Sequence, residues 1–425
     1  MATTSNKKYY GYVVVALMAA LMLPGSLIMS AASIFYTPVT EELGISLAAF
    51  GVNLTIIQLV SAFGCPTLFT PLAKKFKLRT LLTLALVVEG CCFAIRAMAT
   101  NIWVFYITSV FITLPMSLLF NVCIPIVANT WFPKKTGTAI GVMGCTQGLG
   151  GLLFSAIGGT LIGSHGWRFC FWVWAAVCIV FVPAVLLLMR QNPEEVGQES
   201  YPAVAMDTAV SSEGKRVLPG MTKGEALKLP AFWICALVIA LGAFAVNVHA
   251  YINPYCQSVG MSPALAGLVS GLIQAGVFIN KLLLGAICDK KGPKAGGLYY
   301  ILASFACFLI IYFSSGNVAL VALGCFLIGP IYAAGNLYGP VLMKYMFGPK
   351  DMSGIWSFGV LVMCTFGAVG GTIWGVLVRL VGYGGCFLLD IAFVGVVLVL
   401  LLTAFAMRKN ILKMWHDVTS PADYN

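Results

Sequence analysis

Long apolar runs separated by short polar or basic breaks dominate this chain. The runs are continuous rather than alternating, which predicts membrane helices and not the strands of a barrel. Helices 1 to 6 are predicted over 10–36, 48–72, 80–99, 102–130, 137–163 and 168–189. Helices 7 to 12 follow over 231–257, 262–287, 297–314, 317–346, 353–380 and 384–407. At the helical rise of about 1.5 Å per residue, each is long enough for a hydrocarbon core of ~30 Å. The first run exceeds a signal-peptide core and no small-residue cleavage site follows it, so it is read as a retained helix. The fold prediction is an all-α membrane protein with twelve transmembrane helices.

Composition narrows the function. Hydrophobic residues make up 60% of the chain and charged ones 9%, against about 45–50% and about 25% in soluble proteins. That balance excludes a soluble enzyme, and disorder requires the opposite bias. The net charge of +11 is explained by where the cations lie. With the N-terminus inside, 21 of the 25 Lys and Arg residues fall on the cytoplasmic side, Arg96, Arg168 and Arg379 fall near the other, and Lys281 lies within a span. This asymmetry predicts a multi-pass protein of the plasma (inner) membrane with both termini cytoplasmic. It accounts for the basic balance with no nucleic-acid partner. The 14 cysteines sit inside apolar runs, without zinc or disulfide spacing, and read as small apolar filler.

Two parts of the chain repeat. Trp131-Phe132-Pro133-Lys134-Lys135 before helix 5 matches Met346-Phe347-Gly348-Pro349-Lys350 before helix 11 at an offset of 215–216 residues. Gly166, Cys170 and Phe171 recur as Gly382, Cys386 and Phe387, and Lys74-Lys75 aligns with Asp289-Lys290. Two similar six-helix units follow, 1–190 and 230–425, joined by a polar cytoplasmic linker over 191–229.

Such parallel halves resemble the major facilitator superfamily. Its loop motif after helix 8 is matched by Gly285-Ala286-Ile287-Cys288-Asp289-Lys290-Lys291-Gly292-Pro293-Lys294, and Asn192-Pro193-Glu194-Glu195-Val196-Gly197 is similar to its segment after helix 6. The first-half loop departs from the motif, with Lys74 where Asp is expected and Lys77 where Gly is. Within the superfamily, the chain resembles the monocarboxylate porter and oxalate/formate antiporter branches. The segments that carry this are Tyr9 to Val14, Trp131 to Gly150, Gly166-Trp167-Arg168, Pro230-Ala231-Phe232-Trp233 and His249 to Tyr255. The resemblance implies a fold of two pseudo-symmetric six-helix bundles.

A charge at membrane depth costs at least ~2.5–3.5 kcal/mol on insertion scales, so each one is a candidate for function. Lys281 lies eight residues before Asp289, ~12 Å along helix 8 and close to the midplane of a core whose half-thickness is ~15 Å. It is expected to face the cavity and pair with a substrate carboxylate; an internal ion pair is the alternative. In the resembling branches this position carries an Arg that meets the anion. The oxalate antiporter's second cation, on helix 11, has no counterpart before Arg379, so a monocarboxylate is favoured. The Asp that proton-linked porters carry four residues before that Arg is here Val277.

Uncharged candidates for substrate binding lie on helices that line the cavity in the resembling family: Tyr36, Asn121, Gln147, Tyr251, Gln274, Asn280, Tyr332, Asn336 and Tyr338. Taken alone, each is more often an interhelical hydrogen bond or core filler. Candidates for gating or proton coupling are His249 near the external end of helix 7, Asp289 in the loop motif, and Glu89 on helix 3. Glu89 is also read as a structural partner of Arg96 one face-repeat away, or as a buried neutral acid, and Asp390 as a solvated or capping residue at the start of helix 12. Glycines on helices 5, 8 and 11, Gly144 and Gly148 among them, predict close contact between sliding helices.

No Walker sequence, zinc constellation or catalytic carboxylate pair occurs in the loops. The chain is therefore read as a secondary transporter, not an enzyme, needing no cofactor and acting as a monomer on a small organic anion by alternating access. Exchange is favoured, because an empty carrier would leave Lys281 uncompensated. A proton-coupled symporter and a membrane sensor that does not transport are the alternatives.

Overall fold

The computed structural model describes residues 9–29, 32–45, 47–199, 218–261 and 263–416. Among these, nine helices are long and apolar enough to cross a membrane, and Gly11–Leu27 is a shorter apolar one. Three helices bend at a glycine: Thr136–Leu188 at Gly166, Pro263–Phe313 at Gly292, and Met352–Leu412 at Gly382. Their φ/ψ values of 82/165°, 85/164° and 70/176° lie in a region essentially reserved for glycine. These are the predicted junctions of helices 5 and 6, 8 and 9, and 11 and 12. Divided there, the fold is consistent with twelve spans. Where the first half has Lys77 instead of glycine, the break is made by ordinary extended backbone at Phe76 (φ −112°, ψ 154°) and Lys77 (φ −65°, ψ 136°).

Helix 1 is shorter than expected. It runs over Gly11–Met29, and a separate helix, Tyr36–Leu43, follows the 3-10 turn Ala32–Phe35. Tyr36 opens that second helix; its side chain lies outside the described residues.

Polarity is distributed as a lipid solvent requires. Large apolar side chains face outward, as at Val180, Leu268 and Leu380, while Ser61, Asn121, Asn280 and Lys281 are buried. Helix–helix contact inside relies on small residues and interhelical hydrogen bonds, because lipid tails leave no hydrophobic difference to exploit.

Proline shapes helices 4 and 10. A proline cannot donate to the carbonyl four residues earlier, and each of these helices answers with a π-turn, Leu118–Cys123 before Pro125 and Ala334–Tyr338 before Pro340. The carbonyls so freed belong to Asn121 and Asn336. Earlier in helix 10, Pro330 frees the Phe326 carbonyl, which accepts from Asn280 Nδ2 at 3.3 Å.

The segment after helix 12 returns to the linker at His416. Gly220 and His416 exchange backbone hydrogen bonds of 3.1 and 3.2 Å, and Met221 N donates to Phe347 O. The short helix Lys223–Ala226 carries a capping box of Thr222 and Glu225, and His416 Nε2 sits 2.8 Å from Glu225 Oε1. The Thr222 amide and hydroxyl, and then His416, hold the Glu225 carboxyl down to about 2, so it is ionised at every cellular pH. Residues 200–217 of the predicted linker lie outside the described residues.

Candidate functional site

Lys281 is 1% exposed, and its ammonium crosses from helix 8 to helix 5. Nζ donates to Gln147 Oε1 at 2.6 Å and to the Gly144 carbonyl at 3.1 Å. No carboxylate lies within ion-pair distance of it among the described residues. Glycines permit this approach: a Cβ at Gly141 would stand 2.7 Å from the Lys281 carbonyl, and one at Gly148 would stand 2.8 Å from the Gln274 carbonyl. Helices 5 and 8 therefore touch backbone to backbone from the loop motif up to Gln274. Gln274 contributes its main chain to this contact, and its side chain is half-buried.

A second junction joins helices 2, 4 and 11. Asn121 Nδ2 donates to Ser117 Oγ at 3.1 Å and Ser61 Oγ at 3.4 Å, the two hydroxyls are 2.7 Å apart, and Cys364 Sγ reaches Ser61 Oγ at 3.7 Å. Asn121 Oδ1 is buried with no hydrogen-bond partner. A buried acceptor without a donor costs ~1–3 kcal/mol and marks a place where a ligand hydroxyl or water is welcome. Asn336, its repeat mate 215 residues on, is half-buried in the corresponding π-turn.

Towards the face opposite the basic loops, the 3-10 stretch Val246–Tyr251 interrupts helix 7. His249 Nδ1 bonds the Val246 carbonyl at 2.6 Å, and its Nε2 meets Tyr332 Oη at 2.7 Å. Tyr251 is half-buried there, its hydroxyl close to Gly375. A mid-helix 3-10 segment of this kind is a common hinge device.

Other candidates are turned elsewhere. Asn280, next to Lys281 in sequence, donates to Gly276 O and Phe326 O and accepts from Tyr299 Oη at 2.5 Å, so it joins helices 8, 9 and 10 to one another. Tyr338 is fully buried and donates to Pro293 O at 3.0 Å. Glu89 is buried with Oε1 unpartnered, while Arg96 turns to helix 4, donating to Thr108 and Ser109 at 2.8 Å; the expected Glu89–Arg96 pairing is not made. Asp390 corrects the solvated-end expectation. It is 0% exposed with both carboxyl oxygens unpartnered, because the helix begins at the Gly382 bend and carries it ~12 Å inward.

The basic face is closed by ties between the two halves. Asp289 accepts from the amides of Gly137 at 2.9 Å and Thr138 at 2.5 Å, a carboxylate on the N-terminus of helix 5. Lys344 Nζ donates to Pro133 O at 2.9 Å and Thr136 Oγ1 at 2.7 Å. At the repeat-related place, Lys74 replaces the motif's Asp and pairs with Asp351 at 2.6 Å, beside the N-terminus of helix 11. Asp351 also takes the Lys223 amide at 3.1 Å. The carboxylate of the latch has thus moved from the loop to the residue that precedes helix 11. Because Lys74 is half-exposed, the pair contributes only ~0–1 kcal/mol. Lys74→Glu is expected to raise maleimide labelling of the buried Cys288 by up to about fivefold, and Lys74→Glu with Asp351→Lys to restore the parental rate.

Comparison with known proteins agrees with this architecture. The family model described as Major Facilitator Superfamily matches residues 16–348. Among relatives, the Saccharomyces cerevisiae protein named Uncharacterized transporter ESBP6 is 24% identical over 66% of this chain and 41% of its own length. The Oxalate:formate antiporter of Oxalobacter formigenes is 23% identical over 66% of this chain and 63% of its own. The chain thus spans less than two thirds of the length of either. A crystal structure of the transporter FucP in the outward conformation superposes with a TM-score of 0.66 at 16% identity, covering 93% of this chain and 99% of that one. The fold is a multi-pass helical membrane fold, and the chain belongs to the Major Facilitator Superfamily.

Proposed function

We propose that this transporter moves a small organic anion, a monocarboxylate, across the plasma membrane by alternating access, with exchange as its favoured mode. The observation that carries the proposal is Lys281, a buried cation at the contact between the halves whose hydrogen-bond acceptors, Gly144 O and Gln147 Oε1, are both neutral. An ammonium has three donors, and one buried positive charge balances one carboxylate. The Asn121–Ser117–Ser61 cluster and the Asn336 π-turn supply amide and hydroxyl groups for a substrate's polar substituents. The name of the oxalate:formate antiporter relative fits both the anion and the exchange.

The basic face is assigned to the cytoplasm by the positive-inside rule, with both termini there. The ties at Asp289, Lys344 and Lys74 then close the cytoplasmic side, and the structure represents an outward-facing state. The outward conformation of the FucP neighbour supports that assignment.

Proton-coupled symport is a second reading, favoured by the His249–Tyr332 pair beside the helix 7 hinge. A related FucP structure is described as a fucose:proton symporter. One experiment separates the two. Purified protein in liposomes is given radiolabelled acetate, lactate, pyruvate and benzoate outside, with or without the same anion inside. Uptake that requires internal anion and ignores an inward proton gradient is the expected result. Uptake into anion-free liposomes driven by that gradient would replace exchange with symport, and no uptake of any of the four would remove the monocarboxylate assignment.

A further inference from the structure

Gln147 is placed where a substrate carboxylate has to arrive. Its amide oxygen lies 2.6 Å from Lys281 Nζ, and the lysine is 1% exposed, so no acid group reaches that ammonium without moving a side chain. The Gly144 carbonyl is fixed in the helix 5 backbone. Gln147 is half-buried on a side chain with rotatable bonds, which makes it the contact that gives way.

We infer that Gln147 is a stand-in for the substrate: its neutral amide oxygen holds Lys281 in the empty carrier, and the carboxylate binds by displacing it. This rests on the reading of Lys281 as the anion site. A carboxylate wins because its full negative charge adds Coulombic attraction to the ammonium, whereas the amide oxygen of Gln147 offers only a dipole. The displaced bond also joins helix 5 to helix 8, so arrival of the anion and loss of one tie between the halves are a single event. Binding energy is thereby converted into freedom for the halves to move, and an empty carrier stays tied. Gln147 is thus a positioning residue, opposite in effect to a residue that holds the substrate. Removing a substrate ligand raises KM, whereas removing a competitor lowers it.

The test uses whichever of acetate, lactate, pyruvate and benzoate the parent exchanges fastest in proteoliposomes. Gln147→Leu leaves an apolar side chain one atom shorter and deletes the amide oxygen. Its KM is expected to fall about tenfold, the value of one hydrogen bond to a charged group, with kcat changed less. Gln147→Glu places a permanent carboxylate on Lys281, and exchange is expected to fall below about a hundredth of parental while the melting temperature is kept or raised. Melting curves of both variants show whether the fold survives. A raised or unchanged KM for Gln147→Leu in folded protein, or near-parental exchange by Gln147→Glu, overturns the inference. Lys281→Gln measured beside them separates the two failures. If that variant exchanges normally, the anion site itself is wrong; if it is inactive while Gln147→Leu raises KM, the anion site stands and Gln147 is a direct substrate ligand.

Discussion

Lys281→Gln is expected to lower carboxylate exchange at least about a hundredfold and to leave the protein as stable as the parent or more so. The two halves of that statement come from one physical fact. A lysine ammonium near the bilayer centre costs ~2.5–3.5 kcal/mol to insert, and in this fold it is met by one amide oxygen and one backbone carbonyl. A glutamine there still donates to Gly144 O or Gln147 while shedding the charge, so folding gains. Transport loses the buried lysine that, among the described residues, stands at the contact of helices 5 and 8 and offers its charge to an acid. A loss of about 2.7 kcal/mol of anion binding is a hundredfold in affinity, and one or two charge-assisted hydrogen bonds supply that. Initial exchange rates in proteoliposomes and melting temperature in detergent read the two effects separately. A purely structural lysine gives the reverse pattern, a destabilised protein whose residual folded fraction transports normally.

The axial position of Lys281 along helix 8 is legible in the sequence, because counting residues from the loop motif gives it at a fixed rise. The direction of a side chain around the helix is not. Asn280 and Lys281 are adjacent polar residues at one depth, yet neighbours on a helix point about 100° apart, and the structure sends one to helices 9 and 10 and the other to helix 5. Proline held the missing information. Pro115, Pro125 and Asn121 recur as Pro330, Pro340 and Asn336, each 215 residues on, and a proline four residues after a given carbonyl frees it. Pro330 thus calls for a donor to Phe326 O, which Asn280 provides. Pro125 and Pro340 likewise foretell the π-turns at the two asparagines. The depth of Asp390 is hidden for a different reason. An apolar run shows where lipid begins, but a helix also extends into turns that are not apolar, and Gly382 rather than the first hydrophobic residue sets its start.

Two glycines on helix 8, Gly276 and Gly285, face equally crowded backbone with different consequences. A Cβ at Gly276 would collide with the Phe326 carbonyl oxygen and lie 2.9 Å from its carbon, a contact between helices 8 and 10 in the same half. A Cβ at Gly285 would collide with the Gly137 carbonyl oxygen and lie 2.9 Å from its carbon, a contact between opposite halves. Overpacking of this kind costs ~1–3 kcal/mol or more, and what differs is the state that bears it. The helix 8–10 contact lies within one half, so rocking of the halves gives it no relief. Gly276→Ala is therefore expected to lower the melting temperature and yield. The helix 5–8 contact at Gly285 closes the basic face and is lost when that face opens. Gly285→Ala therefore penalises one conformation and spares the fold, and ~1–3 kcal/mol moves a two-state equilibrium about 5- to 150-fold. Cys288 is a built-in reporter: it is 4% exposed, and its Cβ would stand 3.1 Å from a Cβ at Gly137. Its maleimide labelling, read by mass spectrometry, is expected to rise several-fold in Gly285→Ala at an unchanged melting temperature. Equal loss of stability in both variants, with no gain in labelling, would show that helices 5 and 8 do not part during transport.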